Sequence, residues 1–147
     1  MSTEIGRLGV WSWLDAFSAP EAAAFARRIE DWGYSALWIP EAVGRDPFSL
    51  IGFLAAETET LVLATGIANI YARDAMTLKA IHKTIAELAP DRFVLGLRDS
   101  HDHFASKVRD HVYPKPLTPM PNSPPTLDTH IYIGTNPPPH PPPRPPV

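Results

Sequence analysis

Three polar residues stand directly behind apolar runs of strand length. Glu41 follows Ala36-Leu37-Trp38-Ile39 and Pro40, Asn69 lies near the end of the run from Thr60 to Ile70, and His101 comes just after "RFVLGL" in "RDSHDH". A carboxylate and an imidazole can exchange protons with a bound substrate, and an amide can orient a ligand through hydrogen bonds. Each also has a plainer reading. Glu41 can cap the backbone of its loop. Asn69 can be a turn former, favoured for local hydrogen bonding. Asp99, His101, Asp102 and His103 have the ligand types that suit zinc or iron, but no third well-spaced ligand is evident. That stretch reads as a solvated loop, and no metal is expected.

Such residues act together only if the fold brings them together. "RLGVWSW" (Arg7 to Trp13) is a short aromatic-rich run of strand length. Ser18 with Glu21 forms a capping box, Pro20 fits the first turn, and Gly33 is a natural C-terminal cap. Ala22, Phe25, Ala26, Ile29 and Trp32 share one helical face, so a helix is predicted over 19–32. Ser35 to Ile39 is continuously apolar, as strands buried on both faces are. Asp46 and Pro47 open a second helix to about Glu59, with Phe48, Ile51, Phe53, Leu54 and Ala55. Thr60 to Ile70 is a third strand. Asp74 caps a third helix with Leu78, Ile81, Ile85 and Leu88 facing inward, and Pro90 stops it. Arg92 to Leu97 is a fourth strand.

Strands that alternate with helices imply right-handed crossovers and a parallel α/β sheet. Binding groups in such folds lie just past the C-terminal ends of the strands. Glu41, Asn69 and His101 are therefore expected on one rim. Trp11, Trp13 and Trp38 fit either a core or the wall of an apolar pocket. No Gly-x-Gly-x-x-Gly follows a strand, so a dinucleotide site of the Rossmann type is unsupported.

Composition bounds the partners. Net charge is −3 without a basic cluster, which argues against nucleic acid and anionic membranes. There is no cysteine, so thiol nucleophiles and thiolate metal sites are excluded; the composition fits a cytoplasmic protein. The N-terminus lacks the features of a secretory signal, and no apolar run approaches the roughly 20 residues of a membrane helix. Of 18 prolines, 14 lie between Pro114 and Pro146. Two segments are expected: 1–113, carrying the α/β pattern, and 114–147, a proline-rich, disordered tail whose one apolar island is Ile131-Tyr132-Ile133.

The run "GYSALWIPE", "LATGIANIYAR" and "DRFVLGL", in that order, resembles the N-terminal half of the luciferase-like monooxygenase superfamily. More narrowly, it is similar to the branch that uses the deazaflavin coenzyme F-420. The likeness spans roughly residues 6–97, with weaker echoes to Met120. It implies part of a (β/α)8 TIM barrel, about four β/α units, with F-420 or FMN across the C-terminal rim as hydride carrier. It also implies an oxidoreductase or monooxygenase acting on a small molecule. Glu41 matches an acidic position after the second strand, where relatives often continue with histidine; here Ala42 follows. Gly66-Ile67 matches a non-prolyl cis peptide that buttresses the ring, Asn69 a polar cofactor contact, and Gly96 a small-residue stretch that leaves room for it. Arg98-Asp99 stands where small residues usually continue, and His101 where a polar group approaches the reactive carbon. The resemblance thus makes Glu41 and His101 catalytic, and Gly66, Ile67, Asn69 and Gly96 cofactor-binding.

A barrel of this type takes about 250 residues. Four strands would leave the last as an open edge, which invites pairing. The expectation is a truncated or frame-shifted copy of a longer oxidoreductase. The alternatives are a non-catalytic half-barrel that pairs with itself or with another half-barrel, and an interaction protein presenting a polyproline tail around Arg144.

Overall fold

The computed structural model describes residues 5–98 and 131–134. The change of composition near residue 113, and with it His101 and the "DSHDH" stretch, lies outside the described residues. The elements run β1 (Gly9–Trp11), α1 (Ala19–Asp31), β2 (Ala36–Ile39), α2 (Pro47–Glu57), β3 (Val62–Thr65), β4 (Ala68–Asn69), α3 (Ala75–Leu88), β5 (Phe93–Arg98) and β6 (Ile131–Gly134).

Local chemistry sets the helix starts. At α1, the Ser18 N–H donates to Glu21 Oε2 at 2.7 Å while the Glu21 N–H donates to Ser18 Oγ, closing the capping box. Asp46 accepts from the Ser49 N–H at α2, and Asp74 accepts from the Thr77 N–H at α3. The buried stripes differ in part from those predicted. Trp32 is the C-cap of α1 and stands 65% exposed, outside the stripe of Ala22, Ala26 and Ile29. Phe53 is exposed on α2. On α3 the buried line is Leu78, His82 and Ile85 continuing to Ala89, so Leu88 turns outward. A 3.6-residue period carries a stripe on through steps of four and three, and residues 88 and 89 compete for one place.

Every strand pairing is parallel. β1 pairs β2, β2 pairs β3, and β3 with β4 pairs β5. This order has no reversal, so successive crossovers of one hand put all the helices on one face. The core shows it. Leu37, Ile39, Leu63, Phe93, Leu95 and Leu97 pack with residues of α1, α2 and α3. Their neighbours Ala36, Trp38, Val62, Ala64 and Val94 form a separate cluster on the other face. A sheet wound one way with helices outside is the arrangement of a TIM barrel, and the second face corresponds to its interior.

The third strand, predicted as one piece over 60–70, is two. Ala64 aligns with Val94, and Ala68 with Leu97. Four steps along one strand match three along the other, which is the signature of a β-bulge. It holds Thr65, Gly66 and Ile67. The predicted open edge is also different: β6 pairs β5 in register from Leu95↔Ile131 to Arg98↔Gly134.

Candidate functional site

The C-terminal ends of β1, β2, β4 and β5 share one rim, as parallel strands require. Glu41 and Asn69 do meet there. The Asn69 N–H donates to Glu41 Oε2 at 2.8 Å, and Arg73 donates to Glu41 Oε1 at 2.9 Å. The Glu41 N–H in turn donates to the Ile67 carbonyl at 3.0 Å. Glu41 therefore ties the loop after β2 to the bulge and to the strand beyond it. Its side chain is 4% exposed. Arg73 also pairs with Asp46 and lies over the Phe48 ring, 4.7 Å from the centroid. Burial pushes the Asp46 carboxyl up, but the Ser49 hydroxyl and N–H and the Arg73 guanidinium outweigh it and hold it below the usual range.

Asn69 is buried in β4, and its Oδ1 accepts from the Tyr71 N–H at 2.9 Å. The local bonding foreseen for a turn former is thus present, and it occupies the oxygen. Gly66 and Ile67 are half-buried at the bulge, and the peptide between them is cis, as the resemblance implied. Gly66 accepts at its carbonyl from Trp11 Nε1–H at 2.6 Å.

Gly96 follows Val94 on the interior face by alternation. It cannot be larger: a Cβ there would stand 2.2 Å from the Thr65 carbonyl oxygen. Thr65 explains the closeness. Its hydroxyl donates to the Gly96 carbonyl and accepts from the Gly96 N–H, both at 2.8 Å. The side chain replaces the ladder bonds that the bulge removes.

One further group escaped the reading of the sequence, and a second was left between two readings. Arg73 lies 32 residues beyond the acid it binds, and only its place behind a strand, in "IYARD", pointed to the rim. Trp11 and Trp13 are 53% and 54% exposed, so neither is core; Trp38 is half-buried against the interior cluster. Among the described residues, no group of three or more His, Asp or Glu could hold a metal, and no helix is long and apolar enough to cross a membrane.

Residues 5–109 match the family described as luciferase-like monooxygenase. A 5,10-methylenetetrahydromethanopterin reductase of Methanolobus tindarius is 32% identical over 76 residues, covering 51% of this chain and 23% of that protein. The structure of a coenzyme F420-dependent tetrahydromethanopterin reductase from Methanopyrus kandleri superposes with TM-score 0.64 at 19% identity, over 69% of this chain and 29% of that one. The oxygenating constituent of 3,6-diketocamphane monooxygenase from Pseudomonas putida, solved with FMN, does so with TM-score 0.59 at 14% identity, over 69% and 32%. The chain thus spans about a quarter to a third of the length of these proteins.

Proposed function

Because the chain belongs to the luciferase-like monooxygenase family, we propose that its rim is built to seat the flat ring of coenzyme F-420 or FMN, as part of an oxidoreductase acting on a small molecule. The observation that carries this is the bulge at Gly66–Ile67, at the strand ends, where Gly66 lies against Trp38 of the interior cluster and against Trp11. The names of the related reductase and of the FMN-bound monooxygenase support the choice of cofactors.

Gly66 and Ile67 would meet the ring with backbone rather than side chain, and Gly96, whose missing Cβ makes room for the Thr65 carbonyl, would lie beside it on the next strand. The described bonds use Asn69 Oδ1 and not Nδ2, so a ligand at Asn69 would meet a hydrogen-bond donor. When bound, F-420 or FMN supplies the hydride acceptor or donor, which no side chain can be. Glu41 serves the site by holding the bulge and Arg73 in place, through the Asn69 N–H and the Ile67 carbonyl. His101 remains the proposed proton-carrying group near the reactive carbon.

The test is titration of the full chain with FMN and with F-420, followed in the absorbance of each cofactor. Saturable binding of one of them on the order of tens of micromolar or tighter is expected. No binding of either in that range overturns the reading.

A further inference from the structure

Trp11 and Trp13 project beyond the end of β1 with their ring centroids 5.5 Å apart and their planes at 89°. Both residues stay more than half exposed. Burying apolar area is worth about 25 cal/mol per Å², and an indole offers a large area. Two indoles side by side in water therefore want a third surface.

Their geometry says what shape that surface has. Two planes at a right angle form a notch, in which a flat ring can lie on one indole face and turn its own edge to the face of the other. Both contacts are favoured arrangements of aromatic quadrupoles. One wall of the notch is tied down. Trp11 Nε1–H donates to the Gly66 carbonyl at 2.6 Å, so the indole reaches from β1 across β2 to the bulge. Gly66 lets it come close: a Cβ there would stand 3.1 Å from Trp11 Cδ1 and 3.0 Å from Trp38 Cβ, tighter than such contacts usually are. A ring held in advance loses little freedom when it stacks.

We propose that Trp11 and Trp13 form a stacking seat for a flat aromatic ring, one indole stacking on it and the other meeting its edge. This deepens the reading above and rests on it only in that both sites border Gly66. The ring can belong to the hydride carrier or to an aromatic substrate; the chemistry of recognition is the same, and no bond is made or broken.

Neighbouring indoles give a coupled pair of bands in far-ultraviolet circular dichroism. The full chain is titrated with FMN and, separately, with 2-naphthol, while the coupled bands and each probe's own absorbance are followed. Trp11→Leu, Trp13→Leu and Trp32→Phe are run beside it. Trp13→Leu leaves the tie to Gly66 in place, and Trp32 stands apart as the C-cap of α1, so these two guard against misfolding of Trp11→Leu. The expected result is that a bound probe alters the coupled bands. Trp11→Leu or Trp13→Leu should weaken it about threefold to tenfold, and Trp32→Phe should leave it unchanged. A response to FMN assigns the seat to the carrier; a response to 2-naphthol, with or without FMN present, assigns it to the substrate. Binding visible in a probe's absorbance, with the bands and the affinity indifferent to both leucine variants, overturns the seat while leaving cofactor binding intact. If FMN does not bind at all, the 2-naphthol titration decides, and silence there overturns the proposal.

Discussion

Glu41 and Arg73 meet at 2.9 Å with 4% and 16% of their side chains exposed, and the same carboxylate holds the Asn69 N–H. A half-hidden ion pair adds little net stability by itself, because desolvation offsets the attraction. Removing one partner is a different matter, since the other stays behind without its counter-charge. Arg73→Met should therefore lower stability by about 2 kcal/mol, less than for a fully buried pair because water still reaches the guanidinium. Glu41→Gln should cost less, as its amide oxygen can still accept from Asn69 and Arg73 keeps Asp46. Urea unfolding midpoints of the two variants check the order; equal midpoints would mean that the pair is not what holds the loop.

Thr65 offers a cleaner case. Its hydroxyl makes both bonds to Gly96 and is fully buried. Thr65→Val keeps the shape and leaves the Gly96 N–H and carbonyl without that partner. Roughly 2 kcal/mol should be lost. Thr65→Ser keeps the hydroxyl and should lose less than Thr65→Val. Chemical denaturation of the three proteins gives the answer, and a valine variant as stable as wild type would refute the role.

How far the sequence reached can be judged from these residues. The helices were legible because their signals are local: Ser18 with Glu21, Asp46 with Pro47, and Asp74 each announce a start within four residues. The rim position of Glu41 and Asn69 was legible because parallel order puts every strand end on one side. The Thr65 bond to Gly96 was not, because it crosses 31 residues and fills a gap in a ladder that an unbroken apolar run conceals. "TLVLATGIANI" has no break that separates β3 from β4. The exposure of Trp11 and Trp13 was equally hidden. Alternation puts residues two apart on one face, but which face the helices cover is decided by winding, not by the run itself.

Arg92 joins β5 to α2 in a way that propensity does not show. Its guanidinium donates to the Ala55 and Leu61 carbonyls and to the Thr58 hydroxyl. Ala55 and Thr58 lie at the C-terminal end of α2, where carbonyls lack partners and the helix dipole favours a cation, and Leu61 leads into β3. The helix has no basic residue of its own in its last turn. Arg92→Lys keeps the charge but cannot span three acceptors with one compact ammonium. It should lower stability by about 1 kcal/mol, and Arg92→Met by more. Thermal melts of both variants check this; a lysine variant melting with wild type would show that charge alone suffices.

Glu30 contributes to the response to acid. Its carboxylate, on α1, accepts from the Glu59, Thr60 and Leu61 N–H groups and from the Thr60 hydroxyl. Burial pushes this carboxyl up, but the four donors outweigh burial and hold it below the ordinary glutamate value. A carboxyl whose folded value is depressed binds its proton more readily in the unfolded chain. The stability it contributes is thus fully present above the unfolded value, about 4.3, and is lost as pH falls through the lower folded value. Asp46 is shifted the same way at the start of α2. The wild-type chain should therefore lose stability steadily below about pH 4.3, and Glu30→Gln should flatten part of that slope while lowering stability at neutral pH. Denaturation midpoints measured from neutral pH down to acid, for both proteins, test it. Parallel curves would mean that the clamp between α1 and the loop before β3 does not depend on the Glu30 charge.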